Sequence, residues 1–157
     1  MPQLSFHSPV GDLTVSEADG QIVSLDWGWG RDQEETKLLR RARDQLHAYF
    51  DGQRLAFDLP IAPVGTPYRC RVWAALRVIP PGETRTYQDI ARTAGGSARS
   101  VGGANGANPI PILIPCHRVV ATNGIGGYSG GDGPPTKRYL LDLESRMLAG
   151  TFQLPRP

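Results

Sequence analysis

Cys116 is the residue with the clearest potential for chemistry, because a stiff apolar segment leads to it and His117 and Arg118 follow it directly. A cysteine is nucleophilic as the thiolate, and a neighbouring base or cation usually promotes that form. Residues 108–115 carry three prolines and cannot form a central strand. We therefore interpret Cys116 as a candidate nucleophile. A buried structural cysteine is the alternative, and it is our interpretation of Cys70.

Glu144 is the candidate partner of His117. Apolar residues lie three and four positions to either side of it, so its face of a helix is apolar. A buried carboxylate needs a partner, and a Cys–His–Glu relay would supply one, with the acid orienting the imidazole that takes the thiol proton. The alternative is a surface acid whose stem covers apolar surface.

The segment of residues 97–105 predicts a helix with an unusually bare face. Gly102 and Gly103 each cost about 1 kcal/mol relative to alanine inside a helix, and they stand three and four positions after Arg99. A smooth helix with one long cation can approach a surface closely and insert a single side chain, as minor-groove proteins do. Tight packing of two helices through the glycines is the alternative.

The elements that must position these residues include a helix-turn-helix. Thr86 is a predicted N-cap for a helix from Tyr87 to Thr93, and Ser97 for a helix from Ala98 to about Ala107, with Gly95 and Gly96 between them. Residues 66–118 contain seven arginines, no lysine and two acids. Arginine suits phosphates and bases, although a solvated basic face would show the same charge. The pattern favours a nucleic-acid partner.

The chain divides near residue 63. Before it, short apolar segments at 4–7, 12–16 and 21–27 predict an antiparallel meander, followed by a helix over 33–50 with Tyr49 on its apolar stripe. After it, Thr66-Pro67 and Pro134-Pro135 each open a helix. We predict an α/β (α+β) protein with a small antiparallel sheet and helix in a scaffold domain (1–63), and a mostly helical domain with a helix-turn-helix (64–157).

Composition excludes several classes of protein. The longest uncharged apolar stretch is too short to span a bilayer, and the first residues lack the pattern of a signal peptide. The two cysteines and three histidines do not have zinc-site spacing. The glycine-rich segment 123–133 lacks the lysine pattern of a phosphate-binding loop. We expect a cytoplasmic protein with two free thiols, no metal and no membrane partner.

These motifs together resemble those of the O6-alkylguanine-DNA alkyltransferases. The resemblance covers about 90 residues in the same order, through the second part of the chain. It rests on these segments: Gly65-Thr-Pro-Tyr68, Ile79-Pro-Pro-Gly-Glu-Thr84, Arg99-Ser-Val-Gly-Gly-Ala104, Asn108-Pro109, Pro115-Cys-His-Arg-Val119, Tyr128-Ser-Gly-Gly131 and Lys137 to Glu144. The first 63 residues are similar to the family only in their general pattern.

The resemblance implies catalytic roles for five residues. Cys116 would accept the alkyl group, His117 would be its base through a water molecule, and Glu144 would orient His117. Tyr87 would help to turn out the target nucleotide and donate a proton to the leaving guanine. Asn108 would tie the helix-turn-helix to the active-site loop.

The resemblance also implies a surface for DNA and for the flipped base. Arg99 would fill the space left in the base stack. Ser129 and the backbone near Tyr128 would bind the guanine oxygen, and the carbonyl groups of Cys116 and Val119 its amino group. The remaining predicted DNA-binding positions are Ser97, Gly102, Gly103 and Asn105.

Three features depart from the family pattern. Asn105 stands where relatives often have a larger or apolar residue, so the contacts beside the target base differ. The segment 132–135 is longer than in some relatives and bears on which alkyl groups fit. The first part lacks the cysteines that some relatives use for zinc. Cys116 itself is retained, unlike in relatives that carry tryptophan there and do not transfer the group.

The sequence therefore predicts single-turnover repair of double-stranded DNA, without a cofactor, by transfer of the alkyl group of O6-alkylguanine to Cys116. O4-alkylthymine is a further candidate substrate. We expect a monomer, with clustering on DNA as a further expectation. A DNA-binding protein that recognises the lesion without accepting its alkyl group is the alternative, and a cysteine hydrolase is a third hypothesis.

Overall fold

The first half of the chain builds a three-stranded antiparallel sheet with one helix packed on it. The computed structural model describes residues 1–150. Strands β1 (Gln3–Phe6), β2 (Leu13–Ala18) and β3 (Gln21–Trp27) lie in the order β1-β2-β3. Helix α1 (Lys37–Phe50) turns its buried stripe towards β1 and β2. The predicted meander and helix are confirmed, with strand ends that differ by one or two residues.

Helix α1 starts four residues later than the sequence predicts. Gln33 is not helical, because its side chain makes two hydrogen bonds with Ser5, to the backbone N–H at 2.9 Å and to the hydroxyl at 2.6 Å. Gln33 and Glu34 therefore lie beside Gln3 of β1, and Thr36 becomes the N-cap, accepting the N–H of Leu39. The prediction of a helix from residue 33 is wrong, since a contact with β1 outweighs the helix-forming composition of this segment.

The second half is mostly helical. Its helices are α2 (Pro67–Arg77), α3 (Tyr87–Ala94), α4 (Ala98–Gly106) and α5 (Pro134–Leu148), and a 3-10 helix spans Cys116–Arg118. The two-residue strands β4 (Arg85–Thr86) and β5 (Val119–Val120) pair in parallel. Thr66, Thr86 and Ser97 cap α2, α3 and α4 as predicted, each accepting a backbone N–H of the first turn. Helices α2, α3 and α4 pack on one another.

A backbone hydrogen bond joins the sheet of the first half to the second half, and a buried side-chain hydrogen bond joins two helices within the second half. Leu25 of β3 donates its N–H to the carbonyl of Pro109 at 2.9 Å. The indole of Trp73 in α2 donates to the carbonyl of Ala104 at 2.8 Å, which fixes α4 on α2. Between residues 1 and 150, no helix is long and apolar enough to cross a membrane.

Candidate functional site

The apolar segment before Cys116 forms a tight turn. Ile114 donates its N–H to the carbonyl of Ile110 at 2.9 Å, and Ile112 between them has φ = 73°. A branched residue rarely adopts this left-handed conformation, which costs about 1–3 kcal/mol and persists only where the surroundings impose it. All three isoleucines are almost completely buried. Their packing holds the strained turn, and the turn delivers Cys116 into the 3-10 helix.

Asn108 fixes the other side of this turn. Its side chain donates to the carbonyl of Ile114 at 2.8 Å and accepts the N–H of Ile110 at 3.0 Å. It lies directly after α4, so it joins the helix-turn-helix to the segment that carries Cys116. A hydrogen bond from the same side chain lowers the pKa of the Cys116 thiol.

The Cys116 thiol lies between two small cavities. The first cavity opens beside α3 and α4 and is lined by Tyr87, Gly102, Asn105, Gly106, Cys116, Gly127, Tyr128 and Ser129. The second reaches the first half of the chain and also contains Leu25, Trp27 and Pro111. Each has a volume of about 280 Å³. Although Cys116 is only 4% exposed, both cavities give access to its surroundings.

His117 and Glu144 form a buried pair. Nε2 of His117 lies 2.7 Å from Oε2 of Glu144, and neither residue is exposed to solvent. Since the carboxylate can only accept, Nε2 carries the proton and donates it. Nδ1 is then a free acceptor in the neutral imidazole, and it has no hydrogen-bond partner among residues 1–150. Burial lowers the pKa of His117, against the influence of Glu144, which keeps the ring neutral.

Glu144 is held by three side chains. Arg118 donates to both carboxylate oxygens at 2.9 Å, His117 donates to Oε2, and the Tyr49 hydroxyl donates to Oε2 at 2.6 Å. Burial alone would raise the pKa of Glu144, but the hydrogen bonds and charges of His117 and Arg118 hold it well below its usual range. Glu144 is therefore a buried anion, and the alternative of a surface acid is wrong.

Arg118 does not serve the thiol, although it lies two residues after it. Its guanidinium is used by Glu144 and by the carbonyl of Ile79, at 2.7 Å. The cation that affects Cys116 is Lys137 of α5, which is fully buried. Its Nζ donates to the carbonyl of Gly127 at 3.0 Å and lies 5.8 Å from the ring centre of Tyr87.

Burial and the groups around the thiol shift the pKa of Cys116 in opposite directions. Burial raises the pKa of Cys116, while Asn108, Lys137 and Tyr128 lower it, and the net shift is upward. Burial also lowers the pKa of Lys137 to about 8. The resting thiol is therefore protonated at neutral pH, and a base must take its proton as it reacts.

Tyr87, Tyr128 and Ser129 lie around the first cavity. Tyr87 is the first residue of α3, and its pKa is raised by burial and by the charge of Cys116. The Tyr128 hydroxyl is buried without a nitrogen or oxygen partner in the described chain, and burial followed by the charge of Cys116 raises its pKa. The exposed Ser129 hydroxyl donates to the carbonyl of Gly106 at 3.3 Å, which ties the glycine-rich segment to the end of α4.

The carbonyl of Cys116 is already used. It accepts the backbone N–H of Val119 and the side-chain amide of Asn105, the latter at 3.2 Å. A carbonyl oxygen has two lone pairs, so this group has none left for an incoming guanine amino group. Asn105 is buried and its Oδ1 lacks a partner among the described residues. Val119 is buried as well and pairs with Arg85.

The outer face of α4 is open. Arg99 is exposed, and a Cβ added at Gly102 or Gly103 would meet no atom within 4 Å. Tight packing of helices through these glycines is therefore wrong. Ser97 is exposed, and its hydroxyl accepts the N–H of Ser100 at 3.1 Å as the N-cap. The glycines leave α4 with a smooth surface next to the cavity that contains Cys116.

Metal ligands do not cluster in this site. Within residues 1–150, no three side chains of His, Cys, Asp or Glu gather in a way that could hold a metal ion. The three nearest polar partners of Glu144 are instead hydrogen-bond donors, which suits a carboxylate that orients a base rather than a metal ligand.

Sequence reasoning missed two residues of this site. Tyr49 lies on the apolar stripe of α1, as the sequence predicts, but its hydroxyl reaches Glu144, 95 residues away. Lys137 appeared only as part of a motif. No local pattern identifies either contact, because both partners come from other elements of the fold.

Comparison with known proteins gives one consistent family. Residues 67–146 match the DNA-binding domain of 6-O-methylguanine DNA methyltransferase, and residues 4–63 match the ribonuclease-like domain of the same family. A methylated-DNA–protein-cysteine methyltransferase of Mycobacterium bovis is 52% identical over 155 residues, covering 89% of this chain and 90% of the relative. The constitutive methylated-DNA–protein-cysteine methyltransferase of Bacillus subtilis is 40% identical over 151 residues, covering 87% and 91%.

A solved structure is also similar over nearly the whole chain. The crystal structure of Mycobacterium tuberculosis OGT in complex with DNA has a TM-score of 0.85 and 40% identity, and the match covers 94% of each chain.

Proposed function

Because the chain belongs to the 6-O-methylguanine DNA methyltransferase family, we propose that it repairs DNA by moving an alkyl group from O6 of guanine to Cys116. The observation that carries this proposal is the buried His117–Glu144 pair, 2.7 Å apart, directly after a cysteine that borders a cavity beside α4. This is the arrangement of a nucleophile, a base and an orienting acid.

The transfer begins with removal of the thiol proton. Nδ1 of His117 takes it through a water molecule, while Glu144 holds the imidazole and stabilises the imidazolium that forms. The thiolate attacks the alkyl carbon, the carbon–oxygen bond breaks, and its electron pair stays with guanine. Tyr87 donates a proton to the guanine, and the imidazolium later returns one to Tyr87 through solvent.

The product is a thioether at Cys116, which has no evident route back to the thiol. Each molecule therefore reacts once, and no cofactor is needed. Lys137 stabilises the thiolate by its charge, and Asn108 by a hydrogen bond.

Access to the lesion requires extrusion of the nucleotide from double-stranded DNA, which costs a few kcal/mol and least for a poorly paired base. The smooth face of α4, with Gly102 and Gly103, approaches the duplex, and the exposed Arg99 fills the emptied stack. The exposed Ser97 completes this surface, whereas Asn105 is buried and lines the cavity that contains Cys116. Ser129, the backbone near Tyr128 and the carbonyl of Val119 recognise the flipped base. O4-alkylthymine is a second candidate substrate.

The division into domains, the oligomeric state and the cellular location belong to the same proposal. We assign residues 1–63 to a scaffold domain and 64–157 to the DNA-binding and alkyl-transfer domain, of which 151–157 lie outside the described residues. The protein acts as a monomer in the cytoplasm, where Cys70 and Cys116 stay reduced; both are free thiols here.

Intact-mass measurement after incubation with an O6-methylguanine duplex tests the proposal. The chain should gain one methyl group and then react no further. Cys116→Ala should gain none, whereas the matched control Cys70→Ala should behave like the unmodified sequence. Binding of the lesion without a mass gain would favour the non-transferring sensor, and sustained turnover of esters or peptides would favour a cysteine hydrolase.

A further inference from the structure

Tyr49 connects the first half of the chain to the carboxylate of the site. Its hydroxyl donates to Oε2 of Glu144 at 2.6 Å, and both side chains are fully buried. The same oxygen accepts from Nε2 of His117 at 2.7 Å and from Arg118 at 2.9 Å. Three donors therefore share one oxygen atom, and the tyrosine has the shortest of the three distances.

We propose that Tyr49 is a positioning residue of the alkyl-transfer reaction, acting through Glu144 to keep His117 a neutral base. The inference rests on the proposed function. With this role of Tyr49, the first half of the chain takes part in the reaction and does not only support the fold of the second half.

The packing around Tyr49 fixes the direction of its hydroxyl. Its ring lies 5.3 Å from that of Phe50 and 5.4 Å from that of Phe57, measured between ring centres. Leu46, one turn earlier in α1, is fully buried. A phenol held in this way donates in one geometry and loses little freedom on doing so. Burial and the charge of Glu144 raise its pKa, so it stays protonated and remains a donor.

Sharing of Oε2 weakens the hold of Glu144 on the imidazole proton. A hydrogen bond from the phenol withdraws negative charge from the oxygen that faces His117. Without the phenol, the carboxylate would stabilise the imidazolium more strongly and the pKa of His117 would rise. The base would then be protonated over a wider range of pH and could not accept the thiol proton there.

Other charged or titratable groups face the same cluster. Arg118 comes from the 3-10 helix, Lys137 from α5 and Tyr128 from the glycine-rich segment. Arg118 and Lys137 are cations that lower the pKa of His117. Tyr49 differs from both because it donates without carrying a charge, so Tyr49→Phe removes a hydrogen bond to the carboxylate and leaves the net charge of the cluster unchanged.

The test compares the pH dependence of Cys116 alkylation in Tyr49→Phe and in the original sequence, both in a Cys70→Ala background. Iodoacetamide probes the thiol without DNA, and an O6-methylguanine duplex probes the transfer. At the acid end of the profile, Tyr49→Phe should react up to about tenfold more slowly, since a rise of one unit in the pKa of a base lowers its neutral fraction up to tenfold. The two profiles should meet at alkaline pH, where the thiol ionises unaided.

Tyr139→Phe is the matched control, because Tyr139 is a partly exposed tyrosine of α5 outside the site. It should leave the profile unchanged. Tyr49→Phe curves that coincide with those of the original sequence, or that fall by the same factor at every pH, would overturn the proposal, since loss of packing alone acts at every pH.

A second variant keeps the inference testable if Tyr49→Phe does not fold. Replacement of Tyr49 by 3-fluorotyrosine makes the phenol a stronger donor at nearly the same volume, and should shift the acid limb of the profile to lower pH. A shift to higher pH, or none, would contradict the role. If the original sequence takes no methyl group from the duplex, the proposed function fails, while the iodoacetamide profiles still decide the role of Tyr49.

Discussion

Arg118 and Glu144 form a buried ion pair, in which the guanidinium donates to both carboxylate oxygens at 2.9 Å. A buried pair of this kind adds little net stability by itself, but removal of one partner leaves an uncompensated charge. Arg118 therefore contributes to the fold and to the charge of the relay acid, and Glu144 serves both the stability of the chain and the orientation of His117.

The first prediction concerns stability at low pH. The pKa values of His117 and Glu144 are both lowered in the folded chain, from ordinary values of 6.5 and 4.5. The unfolded chain therefore binds more protons as the pH falls through these values, and the free energy of unfolding should decrease, first below about pH 6.5 and again below about 4.5. Urea unfolding measured from about pH 2.5 to 8 checks both losses.

Glu144→Gln tests the contribution of the buried ion pair to stability at neutral pH. At pH 7 it should lower the free energy of unfolding by about 3–5 kcal/mol, because Arg118 stays buried without its counter-charge. Glu35→Gln is the control, since it removes an exposed carboxylate that pairs with Arg43 and should change little. A loss for Glu144→Gln no larger than that of the control would contradict the buried-pair argument.

Local signals in the sequence predicted much of this fold. The threonine and serine caps of α2, α3 and α4 act on the next turn of their own helices, so neighbouring residues are enough to identify them. The apolar residues around Glu144 predicted its burial for the same reason. The motif around Cys116 predicted a candidate nucleophile directly before a candidate base, His117, and these roles stay predictions.

Contacts between distant segments could not be predicted in this way. Gln33 pairs with Ser5 rather than starting α1, and the partner of Tyr49 is 95 residues away. Lysine is rarely fully buried, and only the assembled site shows that Lys137 replaces Arg118 as the cation near the thiol. The positive φ of Ile112 depends on packing around the turn, which no pattern of residue types specifies.

The second prediction concerns Lys137. Its charge lowers the pKa of Cys116, and its own pKa of about 8 means that it is charged at neutral pH. Lys137→Met should raise the pKa of the thiol and slow its alkylation below about pH 8, with a smaller difference above that value, where the lysine of the original sequence loses its proton. Iodoacetamide rates against pH, in a Cys70→Ala background, measure this.

Arg138→Met is the matched control for Lys137→Met, because it removes an exposed cation from the adjacent position of α5. Its rate profile should follow that of the original sequence. If both variants shift the profile equally, the effect comes from the net charge of the helix, and the buried position of Lys137 has no special part in it.

The third prediction separates stability from reaction with DNA at Gly102. Since a Cβ there meets no atom within 4 Å, Gly102→Ala should raise the free energy of unfolding by up to about 1 kcal/mol through helix propensity. The added methyl group roughens the face that approaches DNA, so the rate with an alkylated duplex should fall. The rate with free O6-alkylguanine is the control and should be unchanged. A variant that is more stable but reacts with the duplex at the original rate would show that this face of α4 does not approach DNA closely.

The fourth prediction concerns the exposed Arg99. If it fills the stack left by the extruded nucleotide, Arg99→Ala should slow the reaction with duplex about tenfold or more, since stacking on a base is worth about 1–3 kcal/mol. Reaction with the free alkylated base, which needs no extrusion, should keep its rate. Arg69→Ala removes an exposed cation from α2 and controls for the general loss of charge; its effect on duplex should be small and should vanish at high salt. Equal losses for Arg99→Ala on duplex and on free base would reject the stack-filling role, because a residue that acts only in extrusion cannot affect a substrate that is already free.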